Sequence, residues 1–241
     1  MLELAKTHDF CASNEPALTV VFIHGIADDS GRFKKPLETL ETNDSLKNIR
    51  FVAFDLLGSG KSLKSDKLNY DFEEQLAALT NSIKKLEIKT PLVLVGHSMG
   101  CLISARYADT HCEEIHELVM VSPPVFMPKD FDTPKFIAGK EGFKKLVILK
   151  NPALKNDKAF DTELEDIVFN KDNYAVLKRL DRPTTIIYGT NDKIIATFNI
   201  PTLLKENPNF KTLKTPGAHG IGHDKTTKLA LVLERIVNEI I

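Results

Sequence analysis

Runs of consecutive apolar residues, rather than alternating ones, recur along this chain. They stand at LTVVFIHG from Leu18, IRFVAFDLLG from Ile49, PLVLVGHS from Pro91, ELVMVSPP from Glu117 and TTIIYGTND from Thr184. Short, rich in Val, Ile and Phe, and uninterrupted by polar positions, they predict strands buried on both faces, as in a parallel sheet covered above and below. FKTLKT, from Phe210, reads as a last strand. Helix-period segments lie between several of them. In DFEEQLAALTNSIKKLEI the residues Phe72, Leu76, Leu79, Ile83 and Leu86 form one stripe, and Asp71 is placed to cap it. CLISARYAD from Cys101 and DKTTKLALVLERIVNEI from Asp224 also read as helices. Strand and helix in alternation predict βαβ units, hence an α/β fold with a mostly parallel central sheet and helices on both faces.

The alternation breaks after Ser122. SPPVFMPKDFDTP carries four prolines, which restrict both a continuing strand and a new helix. Helical pieces follow in FIAGKEGFKKLVILKN and TELEDIVFNKDNYAVLKRL before strand character returns at Thr184. This organisation predicts a core of residues 1–122 and 183–241, and a small helical cap, 123–182, over the C-terminal edge of the sheet, where open α/β sheets bind ligands.

The chain has 241 residues, enough for one sizeable core. A formal net charge of -1 supplies no global attraction to nucleic acid or to an anionic membrane, so neither nucleic-acid binding nor stable membrane association is expected. The three cysteines, Cys11, Cys101 and Cys112, form no C-x-x-C pair, and reduced thiols fit that odd count. The start of the chain lacks a basic segment followed by an apolar one, and no run approaches a membrane span. A cytoplasmic location is the expectation.

Two glycine-rich stretches invite a chemical reading. DLLGSGKS, Asp55 to Ser62, ends like a phosphate-binding loop, but the spacing requires a glycine where Asp55 stands, and a carboxylate there would oppose phosphate oxygens. GHSMG, Gly96 to Gly100, follows the strand PLVLV and precedes a helix. A strand that turns abruptly into a helix strains its central residue, and only small neighbours fit around it. Such a turn lifts the Ser98 hydroxyl clear of the sheet and leaves the backbone N–H of Met99 beside it, giving a nucleophile and half of an oxyanion hole.

A serine hydroxyl attacks at neutral pH only when a base takes its proton and a carboxylate orients the base. In this architecture the order along the chain is serine, acid, histidine. Asp192 lies just past TTIIYG, at the edge where Ser98 emerges; Asp181 precedes that strand and belongs to the other end. His219 follows in PGAHGIGHD, with His223 as the rival base four residues on.

Taken together, these motifs resemble the α/β-hydrolase family over nearly the whole chain. The resemblance implies that His24-Gly25 begins the oxyanion loop, so that the N–H of Ile26 donates alongside that of Met99. It also accounts for DLLGSGKS, which is similar to the family's Asp-x-x-Gly-x-Gly-x-Ser turn. A cap inserted after the strand that follows the nucleophile helix is typical of the family. Only 17 residues precede LTVVFIHG, so the usual opening hairpin is expected to be shortened.

The remaining candidates divide between site and scaffold. His24 reads as an organiser of the oxyanion loop and a contributor to the substrate pocket, with Phe126, Met127, Phe136 and Phe143; Phe160 and Phe169 are further cap aromatics that either line the pocket or bury the cap. His97 reads as a brace for the elbow and Cys101 as a small core residue. Gly220 and Gly222 oppose a helical His219/His223 metal pair, and His111, Cys112 and His116 read as surface residues, so no metal or organic cofactor is expected. The expected activity is a serine esterase acting through a Ser98-His219-Asp192 triad and an acyl-enzyme, on a small or medium acyl ester. Monoacylglycerol, thioester and C–C bond hydrolysis are the neighbouring chemistries, and a small-molecule binding module on the same fold is the alternative of another class. Serine at the elbow, where epoxide hydrolases and haloalkane dehalogenases carry aspartate, and the absence of tryptophan disfavour those branches. Oligomeric state is left open by the sequence.

Overall fold

A computed structural model describes residues 1–221 and 223–240. Its strands are β1 (Ala5–Phe10), β2 (Leu18–Ile23), β3 (Ile49–Asp55), β4 (Leu92–His97), β5 (Ile115–Val121), β6 (Thr184–Gly189) and β7 (Phe210–Thr215). Its α-helices are α1 (Lys34–Glu41), α2 (Phe72–Lys85), α3 (Met99–Thr110), α4 (Pro134–Lys150), α5 (Lys158–Thr162), α6 (Asn173–Arg179), α7 (Ile200–Glu206) and α8 (His223–Ile240). The described strands form one sheet in the order β1-β3-β2-β4-β5-β6-β7, parallel except for β1, which runs antiparallel to β3.

The apolar runs are buried on both faces, and the period of two reappears as a division of labour. On β2, Val21 and Ile23 join the core packed against α2 and α3, whereas Leu18, Val20 and Phe22 join the core packed against α1 and α8. Asp71 caps α2 as its position predicted, accepting from the N–H of Glu74. One strand, β1, precedes β2. Its sequence AKTHDF has no apolar run, and it sits at the sheet edge, where pairing with β3 from Ala5–Asp55 to Phe10–Phe51 holds it.

DLLGSGKS is the turn that leaves β3. The Asp55 carboxylate accepts from Ser30 N at 2.8 Å and from Lys61 N at 2.7 Å, so it occupies the space a phosphate would need. Gly60 has φ +47°, and a Cβ there would lie 2.1 Å from Asp55 Oδ2. The Lys61 side chain is exposed.

Residues 123–182 divide into two parts. α4 buries no residue fully, and Thr133 caps it, with Pro134 in its first turn. α5, a π-helix at Glu163–Val168 and α6 instead share the core of α2 and α3 through Phe160, Leu164, Ile167, Tyr174 and Leu177. Glu163 brings a buried carboxyl into this packing. Its Oε1 accepts from Gln75 Nε2 at 3.0 Å, and burial, followed by the nearby Asp157 charge, pushes its pKa well above the ordinary carboxylate range. A carboxyl whose pKa is raised by folding contributes fully below its unfolded pKa and loses that contribution as pH rises through the folded value. Glu163→Gln is therefore expected to raise the melting temperature at pH 9, by the equivalent of about 1 kcal/mol, and to leave it nearly unchanged at pH 5. Thermal unfolding at the two pH values checks this; an equal effect at both would contradict it.

Candidate active site

The elbow has the geometry that its glycines imply. Ser98 joins β4 to α3 with φ 52° and ψ -119°, a left-handed conformation unfavourable for a residue with a Cβ. Its N–H is held by Val121 O at 2.9 Å, which pins the turn to the adjacent strand. A Cβ on Gly96 would lie 2.6 Å from Cys101 N, and one on Gly100 would lie 2.2 Å from Ile23 O. Neither position has room for a methyl group. Gly25 approaches from β2, where an added Cβ would meet Ser98 Cβ at 3.0 Å. Ile26, the next residue, lines the same cavity as Ser98. Met99 leads α3, and the first N–H groups of a helix have no acceptor within it.

Asp192 and His219 meet at the same edge. His219 Nδ1 lies 2.9 Å from Asp192 Oδ2, while Asp192 Oδ1 accepts from Ile194 N at 3.0 Å and Ile195 N at 3.3 Å. Burial pushes the Asp192 pKa up, but the bond from His219, its charge and the two backbone N–H groups outweigh burial and leave the pKa lowered. An ionised carboxylate there holds Nδ1 protonated and leaves Nε2 free to accept a proton. No hydrogen bond joins Ser98 Oγ to His219 among the described residues; sites without substrate often close this contact only in the complex. Asp181 is exposed at the opposite end of β6. The side chain of His223 lies outside the described residues, as does Gly222.

Two further histidines are fully enclosed. His97 Nε2 donates to His219 O at 3.2 Å, and its ring lies 5.2 Å from that of His219. Burial, reinforced by the charge on His219, drives the His97 pKa well down, so it braces the loop as a neutral ring. His24 Nδ1 donates to Gly25 O at 2.8 Å and its Nε2 accepts from Leu56 N at 2.9 Å. Those bonds fix the turn after β2 to the end of β3. They also correct one expectation: His24 is buried at 0% exposure and does not line the cavity that Ser98 lines. Met127 is likewise absent from the lining, because it packs against the core while its N–H donates to Asp130 Oδ2.

The cavity beside Ser98 has a volume of about 540 Å³, within the usual range for a small-molecule site. Phe126, Phe136, Phe143 and Phe169 line it, and Phe126, Phe136 and Phe169 form a mutual cluster with centroids 5.1 to 5.5 Å apart. Phe160 instead enters the core at 2% exposure. The loop after Asp192 supplies Lys193, Ile194, Ile195, Ala196 and Phe198, none of which the apolar pattern singled out. The available signal was the Ile194-Ile195 pair, separated from the candidate acid by Lys193 alone. Among the described residues no group of three or more His, Cys, Asp or Glu could hold a metal ion, and no helix is long and apolar enough to cross a membrane.

One residue beside the site looked ordinary in the sequence. Lys225, in the first turn of α8, is 2% exposed. Four acceptors surround its Nζ and share its three N–H groups: Ser122 Oγ at 3.0 Å, the carbonyls of His219 at 3.0 Å and Gly220 at 2.9 Å, and that of Ala218. Burial lowers its pKa, and the charge of Asp192 partly restores it.

An enclosed acid-histidine pair, a serine on a strained strand-to-helix turn and a parallel sheet carrying both define a hydrolase of the α/β type. Residues 14–164 match the family model described as serine aminopeptidase, S33, and the chain belongs to that family within the α/β-hydrolase superfamily. A protein of Mycoplasma pneumoniae, named among esterases and lipases, is 27% identical over 229 residues, covering 84% of this chain and 81% of its own. BODYGUARD 2 of Arabidopsis thaliana, named among lysophospholipases, is 33% identical over 120 residues, covering 49% of this chain; the match spans only 25% of that relative. The monoacylglycerol lipase of Paleococcus ferrophilus superposes with a TM-score of 0.70 at 22% identity, over 100% of both chains, a likeness of fold.

Proposed function

We propose that this protein is a serine esterase that cleaves small or medium acyl esters through an acyl-enzyme on Ser98. The carrying observation is the 2.9 Å bond between His219 Nδ1 and Asp192 Oδ2. It points the other imidazole nitrogen away from the acid and leaves it the base for a neighbouring hydroxyl. In this reading His219 Nε2 takes the Ser98 proton as Oγ attacks the acyl carbon. The N–H groups of Ile26 and Met99 receive the oxyanion in a water-poor site, where such donors are worth several kcal/mol each. The imidazolium then protonates the leaving alcohol, and water, deprotonated by His219, releases the acid.

The relatives named among esterases, lipases and lysophospholipases support an ester as the bond that is cleaved. The lining supports an apolar acyl group. Residues 123–182 act in this account as the cap that supplies its aromatic wall. Asp130, Thr133, Lys135 and Lys193 contribute the polar part of the lining, which suits a leaving group that stays hydrated.

A panel of p-nitrophenyl esters from acetate to palmitate tests the assignment. Burial of a methylene is worth about 0.8 kcal/mol, so kcat/KM should rise by at most roughly fourfold per carbon until the cavity is filled, then fall. The expected maximum lies at a medium chain. A profile indifferent to chain length would remove the acyl role from the cavity. Absence of turnover across the panel would favour a ligand-binding module.

A further inference from the structure

We propose that Lys225 is the positioning residue for His219: its buried ammonium gathers the carbonyls of the histidine loop and ties them to Ser122. This rests on the reading of His219 as the base. Burying a lysine is costly, and placing it in the first turn of α8 sets a cation at the positive end of a helix. Such a group persists when acceptors surround it. Here three acceptors are the consecutive carbonyls of Ala218, His219 and Gly220, and the fourth is Ser122 Oγ.

Among its described residues that loop has no sheet or helix ladder of its own. It lies between β7 and α8, and its carbonyls are taken up one by one. Gly217 O accepts from Asn191 N at 3.1 Å, Lys225 takes the next three, and His97 Nε2 shares His219 O. The backbone that carries the imidazole is thus suspended mainly from one ammonium. The anchor at the other end is rigid. Ser122 is 0% exposed, its φ is 54°, and its N–H is held by Ile187 O at 2.8 Å. Ser122 also closes β5 immediately before residues 123–182, so the ammonium joins the root of that segment to the loop of the base. Among the described residues, the charged or titratable groups on neighbouring elements include Asp192, His219 and His97, which belong to the pair or brace it, and Arg32, whose guanidinium lies against Gly220.

A group that only stabilised the fold would change the melting temperature and leave each surviving active site unaltered. A positioning group changes turnover per site. The experiment measures kcat and KM on p-nitrophenyl butyrate for Lys225→Met and Ser122→Ala, with active sites counted by fluorophosphonate titration. A displacement of the base by about 1 Å costs on the order of 10²-fold, so Lys225→Met should lose about that factor in kcat with KM held within about twofold. Ser122→Ala, which leaves the three carbonyl contacts in place, should show a smaller loss in the same parameter, roughly threefold. The far-downfield proton resonance of the His219 Nδ1–H bonded to Asp192 should weaken in Lys225→Met. Wild-type kcat per titrated site in Lys225→Met overturns the proposal whatever its melting temperature. Should that variant not fold, Ser122→Ala decides: unchanged kcat overturns it. Ser98→Ala and His219→Ala, run in parallel, separate the two readings. If either retains full turnover, the assignment of the base itself fails; if both collapse while Lys225→Met does not, only the role of Lys225 fails.

Discussion

Ser98→Ala is expected to reduce kcat on p-nitrophenyl butyrate by at least about 10⁴-fold, with KM little changed and the protein still folded. The hydroxyl forms and breaks the covalent bond, so no partial substitute exists. KM is preserved because the aromatic wall and Ile26 remain. The residual rate comes from donors and binding that survive the substitution. Alanine keeps the Cβ, so the backbone strain at φ 52° is unchanged by the substitution. Melting temperature should therefore stay nearly level. Steady-state kinetics and a melting curve on the same preparation check both halves; a variant that keeps a tenth of the activity would move the chemistry elsewhere.

Asp192→Asn is expected to cost about 10³- to 10⁴-fold in kcat, through orientation rather than contact with substrate. Asp192 Oδ2 accepts from Nδ1 while Oδ1 takes two backbone N–H groups, so an amide must present its NH₂ to one of these donors. If it keeps the backbone bonds, the NH₂ faces the ring and selects the tautomer with Nδ1 bare, which places the proton on Nε2 and blocks the base. The pH behaviour distinguishes this from simple loss of a charge. The folded pKa of Asp192 is depressed, so its stabilising contribution is complete above the ordinary carboxylate value and is lost as pH falls toward the shifted one. Acid unfolding of the wild type should therefore carry a component below that ordinary value which Asp192→Asn lacks. Kinetics at neutral pH with unfolding between pH 2 and 6 test the pair of statements; an asparagine variant within tenfold of wild type would contradict the orienting role.

What could be read from residues alone follows from where each feature's energy is local. Five apolar runs mark β2 to β6 because strands covered on both faces need apolar side chains at nearly every position, whereas FKTLKT marks β7, the edge strand, with Lys211 and Lys214 exposed. GHSMG marks the elbow because the clashes at Gly96 and Gly100 arise within a few residues and one adjacent strand. The meeting of Asp192 and His219 follows from their places along the chain, since each comes after a strand at the same sheet edge.

Other features depend on partners distant in sequence. β1 has polar residues at most positions, and only the open edge of β3 makes it a strand. His24 looked like a pocket residue because it adjoins Gly25 and Ile26, but its ring is consumed by Gly25 O and by Leu56 N, 32 positions away. Lys225 stands in DKTTK, which reads as a solvated helix start; its burial depends on Ser122, 103 positions earlier. Phe160 and Phe169 could not be divided by composition, because whether an aromatic faces core or cavity is decided by how α4 and the π-helix are laid against α2 and α3.

The most direct test of the account is the site of covalent modification. Wild-type protein treated with a fluorophosphonate, digested and mapped by mass spectrometry should carry one adduct, on Ser98, appearing in step with the loss of esterase activity and absent from His219→Ala over the same interval. An adduct on another residue, or full esterase activity with Ser98 unmodified, would contradict it.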